Sequence, residues 1–384
     1  MRLGIISDCV HYKMPDGRIA TENHILLRQL QALCAYFPET LIACPFGEYS
    51  SLKVLSFYTI ETIRFYPLPI VGGASIKAKL QLLSTIPTWF KAFKSIDESS
   101  DIVYQRFPNN LNIPGFFYFW IKGKKTFATY TGTWADFKNE SITYWFQKWL
   151  LIHLFKGPVW VYSESKPDNN RILEGYSPSY SLEEWEEEAE QVKVRINNIQ
   201  TVGIPVYRFI SVGSLVPNKN HAAIIKACAV LKEKKIPFVL SIVGGGYLED
   251  TLQDLINGLN LAQEVKLSGK KKAEELRVLF REHDFIVQAP KEEGYGKVPV
   301  EGFFHGLIPI LNKISMAFLI TGNEERGFLF NESDPNDLAN TLLGLEDKIE
   351  KFPTMIESGR SYAKKHTLKA WAEEYHEQIT KYYF

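Results

Sequence analysis

The run Phe285-Ile286-Val287 and the stretch that follows it, Pro290-Lys291-Glu292-Glu293-Gly294-Tyr295-Gly296-Lys297-Val298-Pro299-Val300-Glu301-Gly302, leave this chain few folds. The apolar run reads as a buried strand, with a polar segment before it and a loop after it. Gly294 and Gly296 let backbone amides approach a ligand with no Cβ in the way, and Pro299 suits the first turn of a helix. A helix start presents unpaired N–H groups and the positive end of the macrodipole, which favour an anion, phosphate above all. Glu293 in the loop and Glu301 eight residues later offer only acceptor oxygens, which suit neighbouring hydroxyls of a sugar. A ligand with a hydroxylated ring at each end and a phosphate between them satisfies all three features. The plainer reading makes Glu293 a helix cap and Glu301 a solvated carboxylate favoured by the dipole.

The stretch resembles the E-x7-E signature of family 4 glycosyltransferases, retaining enzymes of the GT-B fold. Their pattern is close to E-G-(F or Y)-G-x-V-x-x-E, matched here at Glu293, Gly294, Tyr295, Gly296, Val298 and Glu301. The resemblance implies that Glu293 holds hydroxyls of the donor hexose and Glu301 the ribose. It also implies that the backbone from Gly294 through Lys297 to Val298 meets the sugar and diphosphate. A second stretch, Val212-Gly213-Ser214-Leu215-Val216-Pro217-Asn218-Lys219, resembles the family's V-G-R-L-x-P-x-K. There Lys219 is expected on the donor diphosphate beside Gly213, while Ser214 stands where the family has a second cation. Losing such a contact costs on the order of 10²-fold in rate. Val265 to Leu267 and then Ser268-Gly269-Lys270 form a further strand and loop, which in the family holds the base, so Lys270 joins the donor-binding set.

The N-terminal half follows the family only in outline. Leu3 to Ile6 reads as a strand, Pro15-Asp16-Gly17 as a loop, and Thr21 to Leu33 as a helix. Gly17 is placed either on the donor phosphate or in the service of its own turn. Tyr130-Thr131-Gly132 follows another strand, and Thr131 replaces a family histidine that reaches the donor sugar, leaving a hydroxyl as a candidate sugar contact. Ser75 to Lys94 interleaves lysines with aromatic and aliphatic residues around Pro87. It fits either contact with an anionic membrane surface or a lysine face over a core-packed stripe. The glutamates around Trp185 read as a solvated helix, Ile199 to Val202 as a weak strand, and Ser163-Glu164-Ser165 as the start of a loop and helix. His305 reads as a packed or helix-end histidine.

Strand-then-glycine at Val243-Gly244-Gly245-Gly246 resembles a dinucleotide fingerprint, but Glu249 stands where the third glycine belongs. Lys plus Arg equals Asp plus Glu at 44 each, so no global field recruits nucleic acid. Cys9, Cys34, Cys44 and Cys228 show no C-x-x-C spacing, which argues against zinc or a disulfide framework and fits a reducing cytoplasm. No apolar run reaches the roughly 20 residues of a membrane-spanning helix.

The expected architecture is α/β, a GT-B arrangement of two Rossmann-like domains facing across a cleft. The first is expected over residues 1–203 on the acceptor side and the second over 204–364 on the donor side, with a final helix over 365–384 returning to the first. The expected reaction moves a hexose, with UDP-glucose as the preferred donor, to a hydroxyl of a glycan or lipid-linked acceptor. It proceeds with retention, with Glu293 and Lys219 as catalytic groups and with no cofactor or metal, since no clear D-x-D is present. Bacterial surface polysaccharide synthesis is the expected setting. The alternatives are a noncatalytic sugar-nucleotide binder and a nucleotide-sugar epimerase on the same scaffold.

Overall fold

A computed structural model describes residues 1–49, 55–70, 76–135, 140–163, 169–331, 334 and 336–384, with backbone alone for 76–83. The chain divides into two units. The first is Met1–Ser179 with Leu368–Phe384, and the second is Tyr180–Thr367.

In the first unit the strands are β1 Leu3–Ile6, β2 His11–Lys13, β3 Ile19–Thr21, β4 Thr40–Gly47, β5 Ser56–Phe57, β6 Ile63–Leu68, β7 Ile102–Phe107, β8 Lys125–Tyr130, β9 Val159–Val161 and β10 Ile172–Glu174. Its parallel core runs β6-β4-β1-β7-β8-β9-β10. β1, β8 and β9 are buried along almost their whole length, as apolar strands covered on both faces must be. The expected loop between β1 and the first helix contains a hairpin instead. β2 and β3 pair antiparallel around Pro15-Asp16-Gly17, so Thr21 ends a strand and the helix starts only at His24. Asn23 caps that helix, its side-chain oxygen accepting from the Leu26 N–H at 3.0 Å.

Helix Ile76–Ser99 runs through Pro87, and its described part buries Trp89 and Phe93, the core-packed alternative for that stretch. The side chains of Lys77 and Lys79, and residues Glu164 and Ser165, lie outside the described residues. The final helix, Leu368–Tyr383, belongs to the first unit. Tyr375 stacks on Trp160 with ring centroids 3.8 Å apart, and the Tyr383 hydroxyl donates to the Thr126 carbonyl at 2.6 Å.

The second unit holds β11 Tyr207–Val212, β12 Phe238–Val243, β13 Val265–Leu267, β14 Phe285–Gln288, β15 Ile308–Asn312 and β16 Phe328–Phe330, all parallel. Their order is β13-β12-β11-β14-β15-β16, a doubly wound sheet whose direction of winding reverses between β11 and β14. Phe209, Phe285, Val287 and Ile310 fill its core. Ile199 to Val202 is the last turn of helix Ala189–Val202 rather than a strand, and the boundary between units falls before that helix, not after it. The four residues Ile199-Gln200-Thr201-Val202 are too few to show a period of their own, and here helical continuity from Ala189 decides it.

Candidate active site

In a doubly wound sheet, ligands bind outside the carboxyl ends of the strands where the winding reverses. In the second unit that point lies between the loops that follow β11 and β14. The first loop delivers Lys219 and the second Glu293. Their side chains meet at 2.5 Å, the Lys219 ammonium donating to Glu293 Oε2, and both are about one-quarter exposed. A Cβ at Gly213 would stand 3.3 Å from Lys219 Cγ, so the glycine leaves room for the lysine stem.

The two loops are tied together by Asn218. Its Nδ2 donates to the Glu292 carbonyl at 2.9 Å, its Oδ1 accepts from the Glu292 N–H at 2.9 Å, and its own carbonyl accepts from the Lys291 N–H at 2.9 Å. From the other side, Asn312 donates to the Pro290 carbonyl at 2.8 Å and the Ser315 hydroxyl to the Gly294 carbonyl at 2.5 Å. Gly296, at φ +74, takes the left-handed conformation that turns the loop into helix Lys297–Phe304. The first N–H groups of that helix have no intrahelical acceptor and offer the positive end of its dipole.

A pocket opens here, lined by Lys219, Glu293, Tyr295, Gly296, Lys297 and Val298, with Leu311, Ile314, Met316 and Ile320 as an apolar wall. Two lysines, one carboxylate and a helix start therefore share one cavity. The glycine turn after β12 braces it from below. The Leu215 N–H donates to the Gly245 carbonyl at 3.1 Å, the Gly213 N–H to the Val243 carbonyl at 2.9 Å, and the Gly244 N–H to the Gly269 carbonyl at 3.0 Å. A Cβ at Gly246 would meet the Leu215 carbonyl oxygen at 2.4 Å.

Three further candidates of the second unit, Ser214, Lys270 and Glu301, do not line this pocket. Ser214 is exposed in the first loop. Lys270 lies along Gly245, where a Cβ would be 3.0 Å from its Cε. Glu301 sits half-buried in the second turn of helix Lys297–Phe304. Burial first, and then the Glu301 carboxylate, push the Tyr180 phenol upward. Two candidates belong to the first unit. Gly17, at φ +88, occupies the exposed hairpin tip, its N–H donating to the Met14 carbonyl at 2.9 Å, so it serves the turn. The Thr131 hydroxyl donates to the Phe107 carbonyl at 3.1 Å.

Asn218, Asn312, Ser315 and the apolar wall from Ile314 to Ile320 are absent from the sequence reading. Asn218 lies inside the quoted Pro217-Asn218-Lys219 stretch, so its position was visible but its partner was not. The acidic run around Trp185 also needs correction. Glu188 is fully buried, 2.5 Å from Arg281 and 3.1 Å from His305, and His305 caps the end of helix Lys297–Phe304 under the Tyr180 ring. Burial pushes the Glu188 carboxyl up, but hydrogen bonds from His305 and Arg281 more than reverse this and hold it at about 2.

Residues 199–362 match the family model of Glycosyl transferases group 1. That span covers the sheet, both loops and the pocket. The chain has a GT-B fold. This GT-B chain superposes on HepE of Anabaena, solved with UDP and glucose, with a TM-score of 0.70 at 15% identity over 99% of each chain. It superposes on sucrose-phosphate synthase of Thermosynechococcus elongatus with a TM-score of 0.71 at 17% identity, over 99% of this chain and 98% of that one.

In sequence it is 29% identical over 160 residues to an uncharacterised glycosyltransferase of Methanocaldococcus jannaschii, covering 41% of this chain and 44% of the relative. It is 26% identical over 196 residues to a GDP-mannose:cellobiosyl-diphosphopolyprenol alpha-mannosyltransferase of Xanthomonas oryzae, covering 46% and 52%. The matched region thus spans about half the length of either curated relative.

Proposed function

We propose that this GT-B protein is a retaining hexosyltransferase, moving glucose from UDP-glucose to a hydroxyl of a glycan or lipid-linked acceptor in the building of a surface polysaccharide. The observation that carries this reading is the Lys219–Glu293 pair at the mouth of a pocket that also receives a helix start. A cation and amide donors suit a diphosphate, and a carboxylate beside them suits sugar hydroxyls. A partly exposed ion pair contributes no more than about 1 kcal/mol, so an incoming donor can part the two side chains at little cost.

In the reaction the bond from hexose C1 to the diphosphate oxygen breaks and a bond from C1 to the acceptor oxygen forms on the same face. The acceptor proton passes to the departing diphosphate. Charge builds on that diphosphate, and fixed positive groups offset it. Lys219 supplies one such group. Lys297, lining the same pocket, supplies the second, at a place where the first loop carries only Ser214. Glu293 orients the hexose and Glu301 the ribose, with no enzymic nucleophile and no metal in the scheme. Lys270 and the backbone of Gly213 and Gly294 complete the donor contacts.

Incubation with UDP-glucose and an alcohol acceptor panel, read as UDP release, tests the reading, with GDP-mannose as the competing donor. Calorimetric UDP binding without turnover on any acceptor would favour a noncatalytic binder, the reading that Ser214 and Thr131 motivate. Free hexose epimers together with UDP would favour an epimerase.

A further inference from the structure

In the first unit β4 and β6 lie on one side of β1, and β7 with the later strands lies on the other. The winding therefore reverses between β1 and β7, and a ligand is expected outside the carboxyl ends of those two strands. Arg106 stands there. Gln105 pairs with Ile6, the last residue of β1, so Arg106, next to last in β7, is already past the end of β1. Side chains alternate along a strand, which puts Arg106 on the same face as Tyr104, whose hydroxyl donates to Thr129 Oγ1 at 3.0 Å.

Among the described residues of this unit, Arg28, Arg106 and Arg171 are the half-buried arginines. Arg28 donates to the Ser179 carbonyl at 2.7 Å, and Arg171 donates to the carbonyls of Phe155 and Ile152. The Arg106 guanidinium makes no hydrogen bond and no ion pair among the described residues. Glu22 accepts from the Tyr12 hydroxyl at 2.8 Å, and Asp8, exposed in the loop after β1, stays outside ion-pair distance. The Arg106 charge is nevertheless felt on both sides of the strand. Burial pushes up the Cys9 thiol after β1, the Tyr104 phenol on β7 and the Tyr162 phenol after β9, and Arg106 opposes all three shifts.

A half-buried cation without a partner is costly to keep, and a planar guanidinium is matched by two oxygens of one phosphate or carboxylate. We propose that Arg106 holds an anionic group of the acceptor, so that the hydroxyl receiving the hexose belongs to a sugar bearing a phosphate ester or a carboxylate. This deepens the proposed transfer by naming the class of its acceptor, and it rests on that reading. The charges of the whole chain balance, so recognition of an anion falls to a local cation. A neutral sugar leaves the guanidinium as it stands, whereas an anionic one gives it two charge-assisted hydrogen bonds.

The test is calorimetry of the full chain with glucose 6-phosphate, glucuronate and glucose, the first two separating phosphate from carboxylate. At least one anionic sugar is expected to bind about tenfold or more tightly than glucose. Arg106→Gln should abolish that difference, and Arg106→Lys should restore part of it, because an ammonium keeps the charge but not the fork. Neither variant should melt below the wild type, since neither removes a hydrogen bond or an ion pair within the fold. Equal affinity of the wild type for all three sugars, or an anion preference that survives Arg106→Gln, would overturn the proposal and leave Arg106 a solvated arginine. A lowered melting temperature in Arg106→Gln with the preference retained would overturn it in favour of a structural role. UDP is titrated separately into the same proteins. A wild type that fails to bind UDP would sink the donor reading alone, and the sugar titrations would still decide the role of Arg106.

Discussion

Asn218 and Glu292 exchange two hydrogen bonds, the Asn218 amide donating to the Glu292 carbonyl and its oxygen accepting from the Glu292 N–H, each at 2.9 Å. The residues come from loops 74 positions apart in sequence. The pair therefore sets the spacing between the flanking Lys219 and Glu293.

Asn218→Ala removes both bonds from an exposed loop edge. At about 0.5 to 1.5 kcal/mol each, they matter more to loop geometry than to global stability. The expected result is a roughly tenfold fall in kcat/KM for the donor, with a melting temperature within a degree or so of the wild type. Asn218→Asp retains only the acceptor and should fall between the two. Steady-state kinetics with UDP-glucose reads the outcome, and unaltered kinetics in Asn218→Ala would remove the clamp from the mechanism.

Lys219 and Glu293 are expected to behave non-additively. Lys219→Met should lower turnover by about 10² or more and weaken UDP binding, because in the proposed scheme it removes the cation that faces the diphosphate. Glu293→Ala should abolish transfer yet leave UDP affinity equal or slightly higher, since it releases Lys219 from its ion pair. The double variant should lose less than the sum of the two, as residues in direct contact do. Turnover and calorimetric UDP affinity for the four proteins close the cycle. Equal loss of turnover and UDP affinity in Glu293→Ala would count against its role on the sugar.

Gly246 is a steric probe of the brace beneath the pocket. A Cβ there would sit 2.4 Å from the Leu215 carbonyl oxygen and 2.8 Å from its carbon, both of them backbone, so no side chain can swing aside. Gly246→Ala should cost about 1 to 3 kcal/mol and displace the loop that carries Lys219. Gly258→Ala, where a Cβ meets nothing within 4 Å, is the matched control and should leave both stability and UDP affinity intact. Chemical denaturation midpoints distinguish the two.

Much of the site was legible because the residues that build it are local. A strand, a glycine loop and a helix start lie within Phe285 to Glu301, and their order alone implies the cavity. What was hidden depends on partners distant in sequence. Asn218 looks like any loop asparagine until Glu292 is beside it. Glu188 looks like its exposed neighbours until Arg281, 93 residues on, covers it. The hairpin at Pro15-Asp16-Gly17 was missed for another reason: its three-residue strands are too short to show alternation, and the apolar residues from Ala20 onward merge into the helical pattern that follows.

Acid should destabilise both units, beginning below pH 6.5. His11 in the first unit is fully buried among Phe46, Tyr58 and Phe65, its Nδ1 2.8 Å from the Cys9 carbonyl and its Nε2 2.9 Å from the Tyr58 hydroxyl. Nδ1 donates to the carbonyl, which leaves Nε2 of the neutral ring to accept from the tyrosine hydroxyl. Burial brings its pKa down to about 4, with the Cys9 bond opposing the shift only in part. In the second unit burial lowers His366 to about 4 as well, while its Nδ1 is 2.7 Å from the Tyr362 carbonyl.

A folded pKa below the unfolded value means that the unfolded chain takes up protons first. The stability contributed by each neutral ring is complete above pH 6.5 and is lost as pH falls towards 4. For His11 the loss is on the order of 3 kcal/mol. Glu188 adds a loss that begins lower, as pH falls from its ordinary value near 4.5 towards about 2. Urea midpoints should therefore hold level from pH 7 to about pH 6.5 and decline from there to pH 4. His11→Gln should start lower at pH 7 and fall less steeply. A wild-type midpoint that stays level between pH 6.5 and pH 4 would show that the buried rings are not held neutral.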